Sequence, residues 1–165
     1  MPIDGPIDRP TEPSYTLAGW REWVSLPDAG VEWIKAKLDT GARSSAIHAF
    51  DLEEFERDGA AWVRYSVHPW QATDDDAVQV ESPVLDTREV RSSSGHAESR
   101  LVVPMTLRLM GRDLTAEMTL SNRDEMGFRM LVGREALRQG LAVDPARSYL
   151  GPRPPAVVRR RNRGR

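Results

Sequence analysis

The chain has 165 residues, 39% hydrophobic and 29% charged with a net charge of −2, which suits one domain around one core. No apolar run approaches the roughly 18 to 20 residues that a membrane-crossing helix requires. There are no cysteines, which excludes disulfides, thiol catalysis and thiolate metal sites.

Residues 1–16 read as a flexible N-terminal segment, with four prolines among the first 14 positions. Met1-Pro2-Ile3-Asp4-Gly5-Pro6 has neither the basic start nor the apolar stretch of a secretory signal, which points to the cytoplasm. Trp20 to Leu26 alternates as a strand, and Pro27-Asp28-Ala29-Gly30 is a tight turn. Val31 to Leu38 alternates apolar and polar residues, so the two segments form a hairpin whose second arm runs into Asp39-Thr40-Gly41-Ala42. Ser45 to Ala49 resumes as a strand, and Asp51 to Arg57 reads as a short turn of helix or an insertion.

Ala61 to Val67 alternates again, and Ala72 to Ala77 is a solvated loop with three consecutive aspartates. Val84 to Val90 and His96 to Val103 flank a polar tip, Arg91-Ser92-Ser93-Ser94-Gly95. A second hairpin joins Val102 to Met110 with Asp113 to Leu120 and turns at Met110-Gly111-Arg112. After a loop at Ser121 to Gly127, Met130 to Gly133 is a buried strand and Arg134 to Gly140 a short helix ending on glycine. Many strands and one late helix predict an all-β domain over residues 17–150, closed or nearly closed as a β-barrel. No internal repeat is present.

Asp39-Thr40-Gly41-Ala42 reads either as an ordinary turn or as a carboxylate held for chemistry. A carboxylate in a tight loop accepts hydrogen bonds from backbone amides, and Gly41 lets the backbone pass where a side chain would clash. Two such carboxylates sharing one proton can divide the roles of base and acid in water attack, because like charges that close cannot both ionise. The other aspartates that could supply the second group fit poorly. Asp28 sits in the turn before the strand, Asp86-Thr87-Arg88 lacks the glycine, and Asp144 precedes a proline. A symmetric dimer that brings two Asp39 loops together needs no further residue.

Leu38-Asp39-Thr40-Gly41-Ala42-Arg43-Ser44-Ser45-Ala46-Ile47-His48-Ala49 resembles the retropepsin-like aspartic peptidase superfamily, joined by Arg88-Glu89-Val90-Arg91-Ser92-Ser93-Ser94-Gly95 and Leu131-Val132-Gly133-Arg134. It is closest in pattern to a bacterial family once labelled ATP-dependent zinc proteases, often encoded beside ATP-grasp ligases that add glutamate. The resemblance covers about residues 17 to 150. It implies a retropepsin-like acid-protease β-barrel with Asp39 as catalytic aspartate and Thr40 and Gly41 completing its loop. Ala42 and Arg43 then border the substrate, and Arg88, Arg91, Ser92 and Ser93 belong to a covering flap. It further implies a homodimeric aspartic endopeptidase without a cofactor, acting on peptides or glutamylated tails. The alternative is a non-catalytic module that binds a partner such as an ATP-grasp ligase.

Arg43, Arg88 and Arg91 around one cleft would favour an acidic peptide, because guanidinium forks suit carboxylates; alternatively each pairs with a local acid. Arg134 has the pattern of a residue that locks the helix to the active-site loop. No His-Glu-x-x-His occurs, and His48, His68 and His96 are scattered, so no metal is assigned, although His48 and His96 could approach each other. Trp20, Trp23, Trp33, Trp62 and Trp70 fit a core or interface better than ligand stacking. Residues 151–165 hold six arginines and no acid, which leaves 17 basic against 25 acidic side chains elsewhere. This tail reads as disordered, either simply solvated or holding RNA or an acidic partner. No membrane partner is indicated.

Overall fold

The structure is a computed structural model and describes residues 14–71, 73–91, 95–121 and 127–160. Its elements are β1 (Thr16–Gly19), β2 (Arg21–Leu26), β3 (Val31–Asp39), β4 (Ser45–Arg57), β5 (Ala60–Val67), β6 (Val78–Pro83), β7 (Asp86–Arg91), β8 (Ala97–Leu109), β9 (Arg112–Ser121), β10 (Met130–Gly133), α1 (Arg134–Leu137), β11 (Leu141–Asp144) and α2 (Ala156–Arg160). The chain is all-β in class, as its alternating segments predict. Among the described residues no helix is long and apolar enough to cross a membrane.

The β2–β3 hairpin follows its sequence. Ile34, Ala36 and Leu38 point into the core while Trp33, Lys35, Lys37 and Asp39 share the outer face. A 3-10 turn over Pro27–Ala29 ends on Gly30 at φ +69, a conformation that glycine adopts without strain. The β8–β9 hairpin turns where expected, with Met110 and Gly111 both left-handed.

The segment Asp51 to Arg57 is not helical. It continues β4, which pairs with β5 from Glu53↔Arg64 to Arg57↔Ala60. Asp58 and Gly59 are both left-handed and close this hairpin, so an Asp-Gly turn outweighs the local helix propensity of Glu53, Glu54 and Glu56. The masking feature is a bulge: Asp51 has φ 54 and the register shifts between Phe50 and Glu53, which breaks the alternation. Three further strands, β1, β6 and β11, lie where no strand was expected. The late helix α1 is a single turn, shorter than its sequence suggests.

The main sheet runs β10-β3-β2-β8-β9-β4-β5-β6, and β10 also pairs with β4, so six strands form a ring. The closure is thin rather than that of a regular barrel. The β2–β8 seam is one paired position, Ser25↔Arg108, and the second half of β4 leaves the ring with β5 and β6. Inside lie Ile34, Ile47, Leu107, Leu114, Met118 and Met130, each nearly fully buried. Each such side chain contributes about 1.5 to 3 kcal/mol in transfer free energy.

A separate two-stranded sheet pairs β1 with β11 in parallel. The chain after β11 is tied across β2 as a strap. Trp20 donates to the Arg147 carbonyl (2.9 Å) and Tyr149 to the Arg21 carbonyl (3.0 Å). Buried Glu22 accepts the amides of Gly19 (2.7 Å), Leu150 (2.9 Å) and Gly151 (3.0 Å). The segment from 151, expected to be disordered, is thus placed through Arg160 and ends in the five-residue α2. Its anchor, Glu22, lies 128 residues before Leu150 in the chain. Residues 161–165 and the first 13 of the expected N-terminal segment lie outside the described residues.

Candidate active site

Strands β3 and β4 both flank β10: Gly133 pairs with Asp39 in parallel, and Leu131 with Ala46 antiparallel. The Asp39–Ser44 loop therefore has to cross the C-terminal end of β10. That crossing leaves no room at residue 133, where a Cβ would meet the Ser44 carbonyl oxygen at 2.5 Å. Glycine is required there by approach, not by turn geometry.

The loop is clamped from below. The amides of Arg134 and Glu135 donate to the carbonyls of Ala42 (2.8 Å) and Arg43 (3.1 Å). Gly133 donates its amide to the buried Ser45 hydroxyl (3.0 Å), and an Arg134 guanidinium N–H reaches the Gly41 carbonyl (3.3 Å). Arg134 thus does lock helix α1 to the loop, as its position suggested. Ser45 is a positioning residue that the sequence reading missed; its place in the Ser44-Ser45 pair just beyond the loop was the available signal.

Held this way, Asp39 is half-buried while Thr40 and Gly41 are exposed. The Gly41 amide donates to Asp39 Oδ1 at 2.9 Å, which fixes the carboxylate with one face outward. The other aspartates singled out in the sequence are engaged elsewhere. Asp28 lies in the 3-10 turn at the far end of β3, Asp86 binds Arg88 and the Thr87 amide, and Asp144 binds Arg147 and the Ala146 amide.

Arg43 binds Glu135 (2.9 Å), and Arg88 binds Asp86 (3.1 Å) and Glu117 (2.6 Å). The Arg43 guanidinium, backed by the charges of Arg138 and Arg88, holds the Glu135 carboxyl below its ordinary range. Arg88 therefore lies within electrostatic reach of the loop's support. Regular pairing of β7 with β8 sets Arg88 opposite Arg100 and Arg91 opposite Ala97. An odd separation along a strand puts Arg88 and Arg91 on opposite faces of this hairpin. Arg43 and Arg88 are partnered within the chain, and Arg91 is exposed near the tip. Ser92 and Ser93 lie outside the described residues.

His48 stacks on His68 with ring centroids 5.7 Å apart, and Phe50 stacks on His68 at 4.2 Å. Among the described residues no group of three or more His, Cys, Asp or Glu is arranged to hold a metal ion. Trp23 packs edge-on against Trp33, Trp20 against Phe128, and Trp70 donates to Asp76 (2.8 Å).

Residues 17–154 match the RimB-like family, described as retropepsin-like aspartic endopeptidase RimB. A protein of Desulfotalea psychrophila named "Probable alpha-L-glutamate ligase" is 45% identical over 130 residues, which are 79% of this chain and 28% of that protein. One of Shewanella pealeana with the same name is 43% identical over 133 residues, 81% of this chain and 29% of its own length. The chain thus spans less than a third of these relatives. A crystal structure of a Legionella pneumophila protein of unknown function is 28% identical with a TM-score of 0.70, covering 83% of this chain and 98% of that one.

Proposed function

The chain belongs to the RimB-like family of retropepsin-like aspartic endopeptidases, and we propose on that premise that it hydrolyses peptides as a homodimer with one Asp39 from each chain. The observation that carries this reading is the clamped loop. A single carboxylate is oriented by the Gly41 amide, presented at the surface and supported by β10 and α1. Two such loops at a two-fold axis would supply the shared-proton pair that activates water. One Asp39 takes the proton as base, and the other, protonated, donates toward the peptide carbonyl.

The substrate class we propose is an acidic peptide or a glutamylated tail, cleaved in the cytosol. Arg91 is exposed near the hairpin tip on the face opposite Arg88, and would meet the substrate from that face. Arg43 and Arg88 would first exchange their exposed partners, and such exposed pairs are typically worth only about 0 to 1 kcal/mol.

Replacing Asp39 by Asn keeps the shape of the loop and removes the ionisable group. The variant should melt with the wild type and show no hydrolysis of a glutamate-rich peptide. Wild-type turnover in Asp39→Asn would remove Asp39 from the chemistry. A second reading has its own support, since the longer relatives are named glutamate ligases. On it, the module binds and steers an ATP-grasp ligase without cleaving anything. A monomer that binds such a ligase and hydrolyses no peptide would favour that reading.

A further inference from the structure

The outer face of the β2–β3 hairpin is strongly cationic. Arg21 and Lys37 are paired across it, as are Trp23 and Lys35, and Asp39 ends the same face of β3. The C-terminal strap crosses this face, placing Tyr149 against Trp23 at 6.4 Å. Three cations gather on the Tyr149 ring: Arg21 at 5.0 Å, Lys35 at 5.9 Å and Arg153 at 5.9 Å.

Between them lies a shallow pocket of about 190 Å³ whose described lining is Trp23, Lys35, Tyr149, Arg153 and Arg159, with no carboxylate among the described residues. The nearby acid Glu22 is buried beneath it and already holds three backbone amides. Like charges this crowded oppose one another. Burial, and then the neighbouring Arg21 charge, pull the Lys35 ammonium below its ordinary value. An incoming anion would relieve that repulsion.

We propose that this face, completed by the strap, is a docking groove for a carboxylate-rich polypeptide that runs along β3 toward Asp39. Lys35 and Lys37 are two residues apart on one face, roughly 6.6 Å, which is the repeat of side chains on one side of an extended peptide. From Lys35 to Asp39 is roughly 13 Å, so an acidic run of only a few residues spans groove and loop. Nucleic acid fits less well. Trp23 is buried and the Tyr149 ring is occupied by cations, so no free aromatic platform is offered to bases. The groove rests on the proposed peptidase activity only for the direction in which the bound chain runs.

The test uses the full chain carrying Asp39→Asn, so that binding is read without turnover. The probe is a fluorescent peptide of about ten glutamates, long enough to reach from the groove to the loop. Because Arg153 also donates to the Tyr149 carbonyl (3.3 and 3.0 Å), Arg159→Glu alone is made as a companion that keeps those bonds, and Arg153→Glu combined with Arg159→Glu is the full charge reversal. It should weaken binding roughly tenfold or more and flatten its salt dependence. Unchanged affinity for the glutamate peptide would overturn the groove. So would an oligouridylate of equal charge that binds more tightly and loses the same affinity, which would make the face a nucleic-acid surface. Failure of hydrolysis with binding intact would sink the peptidase reading and leave the groove standing.

Discussion

Gly133 shows how one missing side chain can hold a site together. Its added Cβ would lie 2.5 Å from the Ser44 carbonyl oxygen and 3.0 Å from that of Ala42, both backbone atoms that cannot rotate away. Gly133→Ala must therefore push the Asp39 loop off β10. The expected cost is about 1 to 3 kcal/mol, typical of overpacking, together with a clear loss of hydrolysis. Thermal melting and peptide turnover on the same preparation would measure both. Unchanged values in both would mean that the loop yields freely and is not clamped as described. The arginines carry a different lesson at the same scale. Arg43, Arg88 and Arg91 are equivalent in a sequence, but pairing partners and strand parity make them three different residues.

At the scale of elements, the β4-β5-β6 extension packs on the ring through Tyr65, which is fully buried and shares a hydrogen bond with Ser82 (2.9 Å). Burial raises the Tyr65 phenol above its usual 10.0, with the Ser82 hydrogen bond opposing. Tyr149 in the strap is raised in the same direction, mainly by burial. A raised acid holds its proton more tightly in the folded state. Its contribution is thus complete below pH 10 and is lost as pH rises through the folded value. Urea unfolding should show stability falling above about pH 10, with a shallower fall in Tyr65→Phe. At neutral pH that variant should lose about 1 kcal/mol through the Ser82 hydrogen bond. An identical alkaline slope in both proteins would show that Tyr65 does not titrate with unfolding.

For the whole molecule, the proposed activity is a property of two chains. If each active dimer needs both Asp39 carboxylates, mixing equal amounts of wild type and Asp39→Asn has a definite outcome. With free subunit exchange, about one quarter of the dimers carry two intact loops, whereas a self-sufficient monomer would keep about half the activity. Activity per wild-type chain, followed as the variant is added, separates the two. A fall to half of the total on equal mixing, matching simple dilution, would rule out the two-chain site. The longer ligase-named relatives set a second question at this scale, namely whether the module's groove and loop serve a chain delivered by an attached or separate partner.

The sequence by itself determined the all-β class, the β2–β3 and β8–β9 hairpins, and Asp39 at the end of β3. These rest on local signals: alternation of burial, glycine at left-handed turns, and a loop motif read in a single stretch. Arg134 was legible through the family pattern of an apolar-Gly-Arg segment before a short helix, although its bond to the Gly41 carbonyl spans 93 residues. What only the tertiary structure decided depends on contacts distant in the chain. The bulge at Asp51 hid the continuation of β4, since one extra residue shifts the alternation on which a strand is read. The strap was invisible because its anchor is Glu22, more than a hundred residues away from the amides of Leu150 and Gly151. The same distance separates Lys35 from Arg153 and Arg159, so the cationic groove exists only once the strap crosses β2 and β3. A basic tail and an ordinary hairpin lysine become one surface through packing, which no local pattern encodes.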